Sequence, residues 1–253
     1  MRTLFIGQNS THLKSVESTN SYATDFLRQN KVLEGSIFYT FNQLNGRGQR
    51  GNQWESEPNK NATLSIVLHP TFLSLEKQFL LNKITSLAVA DLMSAMLKGY
   101  VDSDGIKIKW PNDIYVSSKK IAGILIENSL RENHFQNSVV GVGINVNQIN
   151  FSDKTPNAIS LSLIANKEFE LFACIELLCE FMEARYLQLK SNMLKSIDSE
   201  YLQRLYLFDQ WHKYHFNEES FDGKIIGVSV YGKLQVQLKS DEVREFDLKE
   251  IVF

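Results

Sequence analysis

The segment Gly46-Arg47-Gly48-Gln49-Arg50-Gly51-Asn52-Gln53-Trp54 constrains this chain more than any other. Glycine permits backbone shapes and close approaches that other residues forbid. Arginine brings a fork of donors suited to phosphate or carboxylate. The run therefore reads as a loop that wraps an anion. Its flanks decide the fold. Ser36 to Phe41 reads as a strand before it, and Ala62 to Leu68 as a strand after it. Gly46, Gly48 and Gly51 spell G-x-G-x-x-G, but the dinucleotide fingerprint needs a helix opening on the third glycine. The polar stretch from Gln53 to Asn61, with Pro58 inside it, opens no helix, so that fold is set aside. A plain flexible hairpin accounts for the glycines but not for the embedded arginines and tryptophan.

The rest of the chain supplies helices and more strands. Ser18-Thr19-Asn20 reads as a turn into a helix reaching about Asn30, with Ser18 or Thr19 as its cap. The same hydroxyl and amide groups also suit a ligand. A long helix is expected from Leu75 to Leu97, with an apolar stripe and Gly99 as its end. Lys109-Trp110-Pro111-Asn112-Asp113 interrupts an alternating pattern, giving a strand, a kink and another strand. The turn chemistry of Pro-Asn-Asp competes with a cleft-lining role. Ile121 to Glu127 and Val139 to Asn147 are nearly continuous apolar runs, as central strands require. Gly123 in mid-strand implies close approach of a ligand or backbone. His69 reads as structural, without an obvious partner.

Two further helices are expected, from Phe169 to about Leu189 and from about Ile197 to Phe208. Trp211 to Phe216 then reads as an aromatic linker. Short strands with turns at Tyr231-Gly232 and Ser240-Asp241 follow, fitting a small β-barrel. The expected fold is α/β of the α+β type: a mixed β-sheet flanked by helices, then a small C-terminal β-barrel. Residues 1–212 form the first domain and 213–253 the second.

With 253 residues, 43% hydrophobic and 22% charged, the chain has the composition of a globular protein. A formal charge of −2 gives no global pull toward nucleic acid or an anionic membrane. No apolar run is read as spanning a bilayer, and the N-terminus is too weakly apolar for a signal peptide. A cytoplasmic location is expected. Cys174 and Cys179 lie five apart in a helical stretch and read as buried free thiols.

The polar loops collect Arg47 and Arg50, Lys109 and Lys120, the amides Gln43, Asn112 and Asn145, and one acid, Asp113. No Ser-His-Asp set or cysteine–histidine cluster is readable. Such an inventory suits electrostatic stabilisation and positioning better than a protein nucleophile. Adenylyl or phosphoryl transfer needs that kind of site.

Ser18-Thr19-Asn20, the Gly46 to Trp54 loop, Lys109 to Asp113, Lys120-Ile121-Ala122-Gly123-Ile124-Leu125 and Gly141-Val142-Gly143-Ile144-Asn145 occur in a set order. In order and spacing this resembles the biotin–protein ligases. The resemblance covers about Ser18 to Asn147, and the small C-terminal domain agrees with that family's layout. It implies an ATP-dependent ligase that forms biotinyl-5′-adenylate with Mg2+. The biotinyl group then passes to a lysine of a biotin carboxyl carrier domain.

Carried over by motif, Ser18, Thr19 and Gln43 would bind biotin's ureido ring, with backbone from Arg47 to Gln49, and Asn20 would also contact biotin. Gly46, Arg47, Gly48, Gln49 and Gly123 would surround biotin. Lys120 would hold its carboxylate. Lys120, Arg47, Arg50, Lys109 and Asp113 form the implied catalytic set, with Asp113 also the magnesium ligand. Arg50, Trp54, Lys109, Asn112 and Asn145 would bind ATP. The loop is expected to be mobile without ligand and to order over the adenylate.

Two features depart from the family pattern. Gln49 and Asn52 stand where arginine is common, so weaker retention of the adenylate is expected. Only 17 residues precede Ser18, too few for the DNA-binding domain some members carry. The resemblance is thus to the short form, without repressor activity or nucleic acid as partner. Whether it forms a homodimer is open, because strand edges that pair in a dimer look like ordinary strands. A lipoate or octanoate ligase, or a binding module without catalysis, are the competing readings. The first would leave polar groups of the ureido pocket unpaired. The second must ignore Lys109, Asp113 and Lys120.

Overall fold

The computed structural model describes residues 1–217, 219–248 and 250–252; the side chain of Arg50 lies outside the described part. In chain order the elements are β1 (Ser10–His12), α1 (Thr19–Gln29), β2 (Ile37–Thr40), β3 (Gly46–Arg47), β4 (Gln53–Trp54) and β5 (Asn61–Leu68). Then come α2 (Phe79–Met96), β6 (Ile106–Lys109), β7 (Asp113–Val116), β8 (Lys119–Arg131) and β9 (His134–Asn145). They are followed by α3 (Leu161–Ala165), α4 (Leu171–Lys190) and α5 (Leu194–Arg204). The chain closes with β10 (Trp211–Phe216), β11 (Glu219–Val228), β12 (Leu234–Leu238), β13 (Val243–Phe246) and β14 (Ile251–Val252).

Seven strands form the main sheet in the order β1-β2-β5-β9-β8-β7-β6. β1 runs parallel to β2 and every other pair is antiparallel, so the sheet is mixed, as expected. Side chains alternate between its two faces because the strand repeat is two residues. Leu64, Ile66, Val140, Val142, Ile144, Ala122 and Ile124 join the large core under α2 and α4. Phe38, Val67 and Val139 face the other way and pack with Ala23 of α1. Thr63, Ser65, Gly123, Gly141 and Gly143 share this second parity. β8 and β9 are central strands, as expected, but two-faced. One face is apolar, and the other carries Gly123, Gly141 and Gly143 beside Leu125 and Val139, which leaves room beneath α1.

α2 is more deeply placed than a single stripe requires. Thirteen of its residues are buried, including Lys83, Thr85 and Ser86. Residues Leu75–Met96 are long and apolar enough to cross a membrane, contrary to the sequence reading, but 72% of that window is buried inside the protein. The helix lies between the sheet and α4 and α5, so its apolar surface is core. Lys83 pairs with Asp198 of α5 at 2.8 Å, and Arg185 of α4 pairs with Asp91 of α2 at 2.8 Å. These pairs let charged residues sit among buried ones.

The Lys109–Asp113 segment is a hairpin turn and not a kink in a continuing strand. β6 and β7 are antiparallel, with Lys109 opposite Asp113, and the Trp110–Pro111 bond is cis. Turn and cleft-lining roles thus coexist.

Trp211 to Phe216 is a strand, not a linker. β10 lies between β11 and β14 in an antiparallel sheet of order β13-β12-β11-β10-β14. That sheet begins two residues before the boundary drawn at 213. The turns at 231–232 and 240–241 are where the sequence placed them, with Gly232 and Asp241 at positive φ. The C-terminal sheet is seated on the main sheet. Trp110 Nε1 donates to the Gly232 carbonyl at 2.9 Å, and Asp209 N–H donates to the Ile225 carbonyl at 2.9 Å. Cys174 and Cys179 are free and buried, as expected. His69 is structural and does have partners: its ring nitrogens lie 2.9 Å from Val32 O and 3.3 Å from Gln136 O.

Candidate active site

α1 begins where Ser18 turns extended, and the Ser18 hydroxyl accepts from Ser21 N–H at 3.4 Å. The next residues point the helix start at the open face of the sheet. Thr19 N–H donates to Gln43 Oε1 at 2.9 Å. Ser65 Oγ lies 2.9 Å from Thr19 Oγ1 and 2.6 Å from Asn20 Oδ1. Asn20 Nδ2 donates to the Leu125 carbonyl at 3.1 Å. Ser18, Thr19, Asn20 and Gln43 are at most 8% exposed. Capping and lining are therefore one arrangement, since the residue that starts the helix also supplies a wall of the cavity.

The glycine loop is a small hairpin. Gly46 pairs with Trp54 and Arg47 with Gln53, and Gly48 N–H donates to Asn52 O at 2.7 Å. Its tip, Gln49–Gly51, is a single 3-10 turn, so no helix opens on the third glycine. A Cβ on Gly46 would lie 2.7 Å from Gln43 Nε2 and 2.9 Å from Trp54 Cβ, a closeness only glycine tolerates. Trp54 folds back over the sheet. A Cβ on Gly123 would lie 2.9 Å from its Cζ3, and one on Gly143 would lie 2.6 Å from its Nε1. The indole thus rests on a floor of two strand glycines. Its Nε1 is buried with no hydrogen-bond partner among the described residues.

The charged wall comes from the β6–β7 hairpin and the start of β8. Lys120 Nζ is 2.7 Å from Asp113 Oδ1 and 5.7 Å from the centre of the Trp54 ring. Lys109 Nζ lies 5.2 Å from the Tyr115 ring centre. Burial pulls the Lys109 ammonium below the usual lysine range, with Asp113 opposing and Lys120 reinforcing. Burial pushes the Tyr115 hydroxyl up to about 12, helped by Asp113 and Tyr206. Asn112 is clamped to β8, its Nδ2 donating to the Ile124 carbonyl at 2.6 Å.

These pieces enclose a cavity of about 370 Å3. Ser18, Thr19, Asn20, Gln43, Arg47, Gly48, Gln49, Trp54, Lys109, Asn112, Asp113, Lys120 and Gly123 all line it. Gly46 and Asn145 do not. They line a second cavity of about 1020 Å3 that shares Trp54 and Lys120 with the first. Asn145 Nδ2 there donates to the Ile159 carbonyl at 3.1 Å. The Arg50 side chain falls outside the described residues. Arg47 is not free in the cavity, because its guanidinium pairs with Glu127 at 2.8 Å.

The sequence reading noted Gly141 and Gly143 without giving them a role in the site, and it missed two further contributions. Gly141 and Gly143 complete the floor, and their alternation with Val140, Val142 and Ile144 was the available signal. Glu127 was treated only as the end of an apolar run. Leu248, Ile251 and Val252 bring an apolar wall from the C-terminal sheet, and nothing local in the sequence announces it.

Among the described residues no group of three or more His, Cys, Asp or Glu is placed to hold a metal ion. Asp113 is the one acidic side chain among the described residues lining the first cavity. Cations, amides and one carboxylate around a glycine floor can seat a polyanion beside a second, partly apolar ligand. They can also neutralise charge as the two react.

Residues 12–145 match the biotin/lipoate A/B protein ligase family. The chain is 31% identical over 191 residues to the bifunctional ligase/repressor BirA of Bacillus subtilis, covering 74% of this chain and 56% of that protein. It is 33% identical over 135 residues to the biotin–[acetyl-CoA-carboxylase] ligase of Paracoccus denitrificans, covering 53% of each. The chain thus spans little more than half the length of these curated relatives. In structure it resembles a biotin protein ligase from Aquifex aeolicus in complex with biotin and ATP. The TM-score is 0.79 at 24% identity, over 97% of this chain and 98% of that one.

Proposed function

The chain belongs to the biotin/lipoate A/B protein ligase family, and from that premise we propose that it is an ATP-dependent biotin–protein ligase. The observation that carries this reading is the pairing of two ends within one cavity. A buried hydroxyl–amide end, Ser18, Thr19 and Gln43, suits the donors and acceptors of a ureido ring. A cationic end, Lys109 and Lys120 beside Asp113, suits a carboxylate meeting a phosphate. Lipoate or octanoate would leave the first end unpaired, which a buried polar site discriminates against strongly.

In the proposed reaction a biotin carboxylate oxygen attacks the α-phosphorus of ATP. The new O–P bond forms as the bond to pyrophosphate breaks. Lys120 holds the carboxylate, and Lys109 offsets charge gathering on the phosphates; both lower the barrier between two anions. Asp113 is the residue that would hold Mg2+, since one carboxylate with phosphate oxygens and water suffices for that ion. Magnesium supplies charge neutralisation on the departing pyrophosphate when bound. Ser18, Thr19, Asn20 and Gln43 orient the ring. Trp54 and the glycine loop exclude water from the acyl-adenylate, which would otherwise hydrolyse. Asn145 and Asn112 are assigned to the nucleotide. A lysine amine of a carboxylase carrier domain then attacks the acyl carbon and releases AMP. The reaction is placed in the cytoplasm, where MgATP and the carrier domain are made.

Pyrophosphate–ATP exchange tests the first step, with biotin, lipoate and octanoate as separate substrates. Exchange with biotin alone is expected. Exchange with lipoate or octanoate instead would assign the sister activity, and no exchange in folded protein would leave a binding module.

A further inference from the structure

We propose that Glu127 is a positioning residue: its carboxylate latches the glycine loop shut through Arg47. The role in turnover rests on the ligase reading above; the latch itself does not. Arg47 Nη2 donates to Glu127 Oε1 at 2.8 Å, and Nη1 lies 3.4 Å from Oε2. The same Nη1 donates to Ser21 Oγ at 3.2 Å. Asn20 Nδ2 donates to Glu127 Oε2 at 3.0 Å. One carboxylate therefore joins three elements: the loop, the start of α1, and β8, whose other end carries Lys120 and Gly123.

Among the described residues the loop's other tie to the sheet is the packing of Trp54 on Gly123 and Gly143. The loop's ladder is two residue pairs long, and its tip bond from Gly48 to Asn52 is internal. Gln53 Nε2 reaches Asn45 Oδ1 only at 3.4 Å. Among the described residues the charged fork is the ion pair that crosses from loop to sheet. Charged forks are stronger than neutral hydrogen bonds. The Arg47 and Glu127 side chains are 49% and 32% exposed, so water weakens the pair. A tie of that strength suits a loop that must open to admit substrate. It also changes the role assigned to Arg47. Its guanidinium closes the site, and Lys109 and Lys120 are the other cations among the described residues that line the cavity.

The test is Glu127→Gln, which keeps an acceptor for Asn20 but removes the charge that holds Arg47. Trypsin cleaves after arginine, so cleavage after Arg47 in ligand-free protein reads the latch directly. A rise of roughly 1.5- to fivefold is expected, as for loss of a half-exposed charged pair when cleavage follows local opening. Ser21→Ala should move the rate the same way by less, and it carries the test if Glu127→Gln does not fold. Glu127→Asp should restore part of the protection. In exchange assays Glu127→Gln should raise the KM for biotin by less than the cleavage factor and leave kcat within about twofold, because KM follows the closed fraction, which falls far less than the open fraction rises while the closed form predominates. Wild-type cleavage rates in both variants would overturn the proposal, as would a fall in kcat with KM unchanged. If wild-type protein shows no biotin-dependent exchange, the ligase reading fails and the trypsin rates still decide the latch.

Discussion

Gly143→Ala is the sharpest test of the floor beneath Trp54. A Cβ at Gly143 would lie 2.6 Å from Nε1 and 2.9 Å from Cδ2 of the indole. Carbon contacts settle near about 3.5–4.0 Å, so the ring must rise by roughly 1 Å. If the ring were held fixed, the overpacking would cost about 1–3 kcal/mol. It is not fixed, because Trp54 ends a two-residue ladder and is only partly buried. Gly143 lies in a strand at ordinary φ, where alanine regains about 0.5–1 kcal/mol of backbone entropy. The two terms nearly offset, so the melting temperature should move by less than about 4 °C. Turnover should behave differently. The floor also lines the cavity proposed to hold substrate, and a 1 Å misplacement costs on the order of 10²-fold. The assay is biotin-dependent pyrophosphate exchange beside calorimetry and tryptophan fluorescence. A large loss of stability with unchanged exchange would refute the reasoning, since the sheet and not the loop would then be yielding.

Trp110→Phe removes the indole hydrogen bond to the Gly232 carbonyl and leaves that carbonyl unpaired in a buried seam. Urea unfolding should show a loss of about 1–3 kcal/mol, and an unchanged midpoint would mean the seam does not couple the two sheets. Lys109 titrates below the usual lysine range because burial disfavours its charge. Its positive charge, and the adenylation rate that depends on it, should therefore be lost on the alkaline side at a lower pH than an ordinary lysine would give. Lys109→Arg should push that limb out of range, which a pH–rate profile would show. On stability the sign is opposite: the unfolded chain binds the proton more tightly, so raising pH through the lowered pKa relieves the cost of the buried charge.

The site was legible wherever chemistry and local order coincide. Arg47, Lys109, Lys120 and Asp113 stand beside turn residues or strand ends, and all four line one cavity. The seven-stranded sheet was legible in part, because apolar runs such as Ile121 to Leu125 mark strands irrespective of partner. The helix over Leu75 to Leu97 was found, but its burial was underestimated. A stripe predicts one covered face, and α2 has the sheet on one side and α4 and α5 on the other. Trp211 to Phe216 was misread as a linker because its pairing partners, Glu219 to Lys224 and Ile251 to Val252, lie downstream. Glu127 was passed over because its partners, Arg47 and Asn20, are 80 and 107 positions away.

The amino-acid order alone determined the kinds of element and the stock of reactive groups. Glycine, proline and hydrophobic alternation act within a few residues, and a lysine carries its charge wherever it is placed. The tertiary structure decided which groups meet. Alternation on β8 and β9 became a floor only once α1 and the glycine loop were laid over the same face. Leu248 and Ile251 became a wall only once the second sheet docked through Trp110. Arg47 became a tie and not a free cation only because β8 brings Glu127 to it. Those outcomes depend on distances between residues far apart in the chain, and no local pattern encodes such distances.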